Sequence, residues 1–237
     1  MASVSLFVFF VLSHLLLLYS AEEAKKYGYP SNCPPFRCGK LGSIDFPFSD
    51  NIHPDCGFCI VNCDEISPTI QLGIDGRSYD VIKISQSNTT ISVKDQVFQE
   101  HLNLRRCELL SNLTFPKSTS ISFEITISNQ TLFKCKHTLN FTTPRNFKNR
   151  SCGDYNIYYS QSNNTSPSFP SECSIIQLPK KGYPPEVDLF ALLTADFDLE
   201  VHVSDDCISC YHSNGQCLQN KVYCATATTT ATAEKGM

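Results

Sequence analysis

The chain has no tryptophan, so the strongest aromatic stacking platform is missing and any such contact falls to Tyr27, Tyr29, Phe46 and Phe48. An excess of positive charge is missing too. Lys and Arg number 19 against 23 Asp and Glu, a formal net charge of −4, which excludes nucleic-acid binding by bulk electrostatics. No Gly-x-Ser-x-Gly elbow, His-Glu-x-x-His pair, P-loop or kinase loop set occurs. The adjacent carboxylates Glu22-Glu23 and Asp205-Asp206 would point to opposite faces of a strand and read as solvated charge. The chain therefore reads as non-enzymatic, with no cofactor. Carboxylates assembled from distant strands are the one hydrolytic route that spacing leaves open. No internal repeat is visible, and beyond the N-terminal segment no apolar run approaches the roughly twenty residues of a membrane helix.

What is present begins with an apolar run over residues 4–19, interrupted only by Ser5, Ser13 and His14. Small residues follow at Ser20 and Ala21, then the charged stretch 22–26. That layout is a secretory signal peptide over residues 1–21, although no Lys or Arg precedes the apolar run. About 215 residues would remain, one large domain or two small ones. The tail is an Ala/Thr run from Ala225, low in complexity over 227–237 and too polar to cross a bilayer.

Thirteen cysteines behind a signal peptide mean disulfides rather than reduced thiols. Six bridges at ~2–4 kcal/mol each would outweigh a modest core, and the odd count leaves one thiol over. Acceptors of the form Asn-x-Ser/Thr stand at Asn88, Asn112, Asn129, Asn140, Asn149, Asn163 and Asn164, and seven together point to an N-glycosylated extracellular protein.

The periodicity is that of strands. Ile121, Phe123, Ile125 and Ile127 alternate with polar residues, as do Phe197, Leu199, Val201 and Val203. Ile70, Leu72 and Ile74 run into the turn signal Asp75-Gly76, with a returning strand expected over 79–84. Ile91 and Val93 mark a further short strand. Helical spacing is confined to residues 96–110, where Val97, Leu104 and Leu110 mark the expected apolar face. Residues 160–170 and 179–185 read as linkers. The expected class is mainly β, two small disulfide-stapled antiparallel modules with little helix. The modules are expected at 33–110 and 135–226, with the boundary between Leu110 and Cys152.

Cys207, Cys210, Cys217 and Cys224, with His202 and His212 nearby, have spacing a zinc site could use. In an oxidising compartment a local disulfide knot is the better reading, and no metal is expected. Local basic clusters stand out against the acidic balance: Lys25-Lys26, Arg37 with Lys40, Arg105-Arg106, Lys134 with Lys136 and His137, and Arg145, Lys148 and Arg150. Each is ordinary solvated surface unless it meets an acidic polymer, where Arg offers bidentate bonds to carboxylates.

One resemblance draws these features together. The run Cys33-Pro-Pro-Phe-Arg-Cys38-Gly, then Ile44-Asp-Phe46-Pro47-Phe48, Cys56-Gly57 and Cys63-Asp64 resembles the galacturonan-binding module heading wall-associated and leaf-rust-resistance-type receptor-like kinases. Phe197-x-Leu199 followed by Cys207-x2-Cys210-x2-Ser213-x-Gly215-x-Cys217 and Cys224 resembles the C-terminal cysteine-rich module found with it. The departures are specific. Phe46 stands where that module has Tyr, and the Cys56–Cys63 loop is short and gains Cys59. A Gly is displaced at Asn214-Gly215, Leu218 replaces a Gly, and Thr226 stands where a further cysteine is usual. A partner lost at the tail and a thiol gained at Cys59 account for the odd count, with Cys33, Cys38, Cys56, Cys63, Cys107, Cys135, Cys152, Cys173, Cys207, Cys210, Cys217 and Cys224 as bridge candidates.

The resemblance implies a non-catalytic ectodomain that binds an acidic wall polysaccharide of the pectin type. Arg37, Lys40, Phe46, Phe48, Arg145, Lys148 and Arg150 are its candidate contacts. An extracellular protein or peptide is the alternative partner. Full-length relatives carry a membrane span and a kinase, neither of which is read in this sequence, so a soluble form or a truncated receptor is expected.

Overall fold

The computed structural model describes residues 33–64, 67–73, 76–160, 169–182, 188–213, 215 and 217. The expected signal peptide, the low-complexity tail, Tyr27, Tyr29 and the linker sequons Asn163 and Asn164 lie outside them. Strands dominate, and the mainly β, disulfide-stapled class holds.

The larger sheet has seven strands: β3 (Phe48–Asp50), β4 (Cys59–Asn62), β5 (Thr69–Leu72), β6 (Ser78–Ile84), β7 (Thr90–Lys94), β8 (Ile121–Ile125) and β13 (Asp196–Val203). Their spatial order is β3-β4-β5-β6-β7-β13-β8. Every pairing is antiparallel except β3 with β4, which run parallel. The alternation in β13 explains its place. Phe197, Leu199 and Val201 are almost wholly buried while Glu200 and His202 face out, and Leu199 sits opposite both Ile91 of β7 and Ile125 of β8. A strand from residues 196–203 thus completes the sheet begun by residues 48–94. Its core gathers Phe48, Ile70, Leu72, Ile91, Val93 and Leu199. A small ribbon, β1 (Phe36–Arg37) with β2 (Ser43–Ile44), covers the front.

The second sheet has four antiparallel strands in the order β10-β11-β9-β12. These are β9 (Asn129–Lys136), β10 (Lys148–Cys152), β11 (Tyr155–Tyr159) and β12 (Ser174–Pro179). Leu132, Ile157, Ile176 and Leu178 pack with Phe98 and Leu102 of helix α1 (Gln96–Asn103) and with Leu189 and Leu192 of the short helix α2 (Leu189–Leu192). A separate aromatic cluster gathers Phe133 and Tyr158 with Phe141, Phe147 and Phe169.

The helix is shorter than its sequence spacing predicts. Asp95 caps α1 by accepting from the Phe98 amide at 2.9 Å. Two residues past its end, Arg105 takes a left-handed φ of 55° and stops it. The buried face is Phe98 and Leu102, whereas Val97 and Leu104 are 53% and 52% exposed. Leu110 is buried in the segment that follows, not on the helix.

Five disulfides link Cys33–Cys56, Cys38–Cys63, Cys107–Cys152, Cys135–Cys173 and Cys207–Cys217. The Cys107–Cys152 bridge ties the turn after α1 to β10, and so joins residue 107 of the first expected module to the second sheet. Cys210 is also disulfide-bonded, and Cys224 lies outside the described residues. Held in disulfides, the sulfurs of Cys207, Cys210 and Cys217 offer no thiolate to a metal. Among the described residues no helix is long and apolar enough to cross a membrane.

Candidate functional site

Helix α3 (Asp205–His212) follows β13 directly. Ser204 caps it by accepting from the Cys207 amide at 3.4 Å, and the Cys207–Cys217 bridge closes its far side. This fixes Tyr211 against the loop between β2 and β3. There the Tyr211 ring stacks on Phe46, with centroids 4.1 Å apart and planes 16° from parallel. Phe46 in turn packs at 5.7 Å against Phe58. The Phe46–Pro47 peptide is cis, and the Phe58 amide donates to the Pro47 carbonyl at 2.8 Å. Gly57 makes this approach possible, since a Cβ there would stand 2.6 Å from the Pro47 oxygen and 2.6 Å from the Phe48 carbonyl carbon.

The stacked pair borders a groove of about 520 Å³, within the roughly 300–1,000 Å³ range of small-ligand sites. Four segments build it: residues 45–47, residues 87–89 of the β6–β7 turn, residues 200–203 of β13, and α3. Asn88, left-handed at φ 53°, turns its amide nitrogen onto the Asp45 carboxylate. Ser87 and Thr89 share a hydroxyl hydrogen bond of 2.7 Å. On β13 the His202 Nε2 lies 3.7 Å from Glu124 and 3.9 Å from Glu200. Ile208 is 38% exposed. Carboxylates, imidazoles, hydroxyls and aromatic faces line the groove; among the described residues no Lys or Arg does.

The predicted contacts scatter. Phe46 is in the groove, but Phe48 is 1% exposed in the core of the large sheet. Its side chain fills the inner face of β3, shielded from solvent. Arg37 and Lys40 are exposed on β1 and the following turn. Arg145 is exposed in the loop before β10 and Lys148 at the start of that strand, away from the groove-lining segments. Arg150 is committed elsewhere. Its guanidinium lies 3.2 Å from Asp188 and 4.8 Å over the Phe190 ring, while Arg105 holds the other Asp188 oxygen and the same ring. Two arginines clamped on one carboxylate and one ring serve packing, because breaking that pair would strand a half-buried charge. Lys134 likewise donates to the Glu108 carbonyl at 2.9 Å and sits over Tyr155.

The sequons separate by environment. Asn140 and Asn149 are exposed. Asn112 lies against β12, donating to the Ile175 carbonyl and accepting from the Gln177 amide at 2.7 Å. Asn129 is half-buried within β9. Asn88 is 8% exposed with its amide nitrogen engaged.

Two features escaped the sequence. Tyr211 follows Cys210 in the cysteine motif, yet nothing local pairs it with a phenylalanine at position 46. A second groove of about 640 Å³ is lined by Lys180, Lys181, Thr126, Ser128, Thr194 and Asp196, beside the 3.9 Å Lys94–Asp196 pair. Its lysines sit in a Pro-rich stretch that reads as a linker.

A disulfide-stapled, mainly β protein with an open groove between its front loops and its last described helix is the class that this fold and site define. Residues 33–95 match the family described as wall-associated receptor kinase galacturonan-binding. Over 234 residues the chain is 30% identical to the leaf rust 10 disease-resistance locus receptor-like protein kinase-like 1.1 of Arabidopsis thaliana, covering 97% of this chain and 34% of that protein. It is 34% identical over 100 residues to the kinase-like 2.3 protein of the same plant, covering 41% of this chain and 15% of that protein. The chain is thus similar to receptor-like kinases of the leaf-rust-10 type and carries, over residues 33–95, a segment that matches the wall-associated receptor kinase galacturonan-binding family, and it spans about a third of the length of the first of these relatives. No solved structure gives a significant match.

Proposed function

We propose that this ectodomain binds pectin-type wall polysaccharide outside the cell without catalysing its turnover, in surface sensing or as a soluble competitor. The observation that carries the reading is the galacturonan-binding family match across residues 33–95, which spans the front cysteines, the Phe46-Pro47-Phe48 run and Gly57. Exposed cations support an acidic polymer as partner: Arg37 and Lys40 on the front ribbon, Arg145 and Lys148 at the β10 edge of the second sheet, and Lys181 at the second groove. Contacts of this kind are individually weak and screened by salt, so an extended polymer that meets several of them gains most.

Retention on immobilised, de-esterified pectin tests the reading. The folded protein is expected to be retained at moderate salt and released as salt rises. A folded protein that passes through unretained sinks the proposal. A peptide partner is the second reading, favoured by β8, which among the described residues is an edge strand of the larger sheet. Pull-down from wall extract before and after pectinase digestion separates the two, since a peptide-dependent complex survives the enzyme.

A further inference from the structure

An open sheet edge is a template for another chain, and folded proteins blunt such edges with shortness, charge or cover. Among the described residues, three of the four edges of the two larger sheets are blunted. The strand β3 is only three residues long. The strand β10 carries Lys148 and Arg150 with the sequon Asn149 between them. The strand β12 ends in Pro179, which has no N–H, and Asn112 plugs its outer side. The Asn112 amide accepts from the Gln177 N–H at 2.7 Å and donates to the Ile175 carbonyl.

The fourth edge, β8, is different. The Thr126 amide donates to the Asp198 carbonyl at 3.0 Å, and hydrogen-bonded and non-hydrogen-bonded pairs alternate along an antiparallel ladder. Ser122 and Glu124 therefore bond β13, while the N–H and C=O groups of Ile121, Phe123 and Ile125 face outward. Ser118 covers Ile121: its amide donates to the Ile121 carbonyl at 2.9 Å, and its hydroxyl accepts from the Ile121 amide at 3.1 Å. The main chain of Phe123 and Ile125 is left open beside a pocket of about 370 Å³. Leu113, Phe115 and Ile175 give that pocket apolar walls, and Ile175 is 57% exposed. Asn129 lines it too, with a buried Oδ1 that has no hydrogen-bond partner.

The solvent face beside this edge is acidic. Glu124 and Glu200 share His202 at 3.7 and 3.9 Å, and Asp198 accepts from the Ser92 hydroxyl. Even with the imidazole protonated, these carboxylates outnumber it. The lysines of the same face, Lys94 on β7 and Lys83 on β6, lie two and three strands from β8, and Lys94 is paired with Asp196.

We propose that the open edge of β8 takes up an extended peptide by strand addition. Its main chain bonds Phe123 and Ile125, its apolar side chains turn toward Leu113, Phe115 and Ile175, and its alternate, cationic side chains lie over Glu124. In this mode main-chain hydrogen bonds give affinity and the alternating side chains give specificity. The inference deepens the peptide reading and stands apart from the polysaccharide reading, since Phe123 and Ile125 lie outside residues 33–95.

Fluorescence anisotropy of the whole chain with a labelled heptapeptide alternating Val and Lys tests it. The controls are an isomer with the same residues in block order and two copies N-methylated on odd or on even residues. The alternating peptide should bind, and the block isomer should bind at least about tenfold more weakly, one decade in Kd. One N-methylated copy should lose about tenfold while the other stays within about twofold, because only alternate residues of an added strand bond the edge. Residue-resolved hydrogen exchange should show the Phe123 and Ile125 amides slowed at least about tenfold by the peptide, with Ser122 and Glu124 unchanged. Glu124→Lys, at a side chain 77% exposed, should weaken binding about fivefold without altering the unfolding transition. Retention on de-esterified pectin is measured separately, so failure of the peptide leaves the polysaccharide reading standing. No binding by about 1 mM, protection that falls elsewhere, N-methylated copies that bind alike, or an unchanged Kd in Glu124→Lys overturns the proposal.

Discussion

Cys59 stands fully buried and unpaired in β4, between Phe48 and Leu72. Burial pushes its thiol up from an ordinary 9.0 to about 12, so it stays protonated and unreactive at neutral pH. Tyr79 is also pushed up to about 12, by burial first and then by the charge of Asp95. For both groups the unfolded chain releases its proton earlier than the folded one. Stability is therefore whole below about pH 9 and falls as pH rises toward 12, from near 9 for Cys59 and from near 10 for Tyr79, by at most about 1.4 kcal/mol per pH unit for each group. Urea unfolding at pH 8 and pH 10.5 should show this loss, and Cys59→Ala should shrink it; an identical slope in the variant would acquit the thiol. Alkylation followed by peptide mapping should mark Cys59 only after unfolding. The sequons obey the same logic of access. Asn88 donates its amide nitrogen inward and is expected bare in a secreted preparation, while Asn140 and Asn149 carry glycan; site mapping that finds Asn88 occupied would contradict its placement.

At the scale of elements, legibility in the sequence followed burial on one face. The strands β8 and β13 alternate cleanly because one side packs on the core and the other meets solvent, and β5 and β7 show the same pattern over fewer residues. The strand β10, Lys-Asn-Arg-Ser-Cys, has no such pattern. It is held by pairing with β11 and by the Cys107–Cys152 bridge, neither of which leaves a local signal. The site divides in the same way. Phe46 belongs to a motif readable in one stretch, but its partner Tyr211 arrives through the long-range pairing of β13 with β7. Likewise nothing local reveals that Asp188 claims Arg150. Gly57 is the element-scale position with the sharpest consequence. Its extended backbone passes so near Pro47 and Phe48 that any Cβ must displace main chain. Gly57→Ala is expected to cost about 1–3 kcal/mol, the usual penalty of overpacking, and to shift Phe46 from its stack on Tyr211. Chemical denaturation checks the cost and near-ultraviolet circular dichroism the ring stack, and a variant of native stability would show that the loop yields.

For the molecule as a whole, the chain order of the large sheet decides what folds alone. Residues 33–110 contain β1 to β7 and α1, the expected first module, and the family match ends at residue 95. Yet β7 pairs on its far side with β13, and Phe197, Leu199 and Val201 belong to the core of that sheet. Burying three such side chains contributes roughly 5–9 kcal/mol, comparable to the ~5–15 kcal/mol net stability of a typical domain. Removing β13 also exposes the edge of β7, a ready template for pairing with another chain. Cutting after residue 110 further separates Cys107 from Cys152, losing a bridge of ~2–4 kcal/mol. A fragment of residues 33–110 is therefore expected to aggregate or to give a poorly dispersed amide spectrum, whereas a chain running through residue 217 folds cooperatively. A monomeric fragment with a dispersed spectrum and a sharp unfolding transition would show instead that the front strands stand by themselves. In that event the groove, which needs both Phe46 and Tyr211, would be an interface between two separable units.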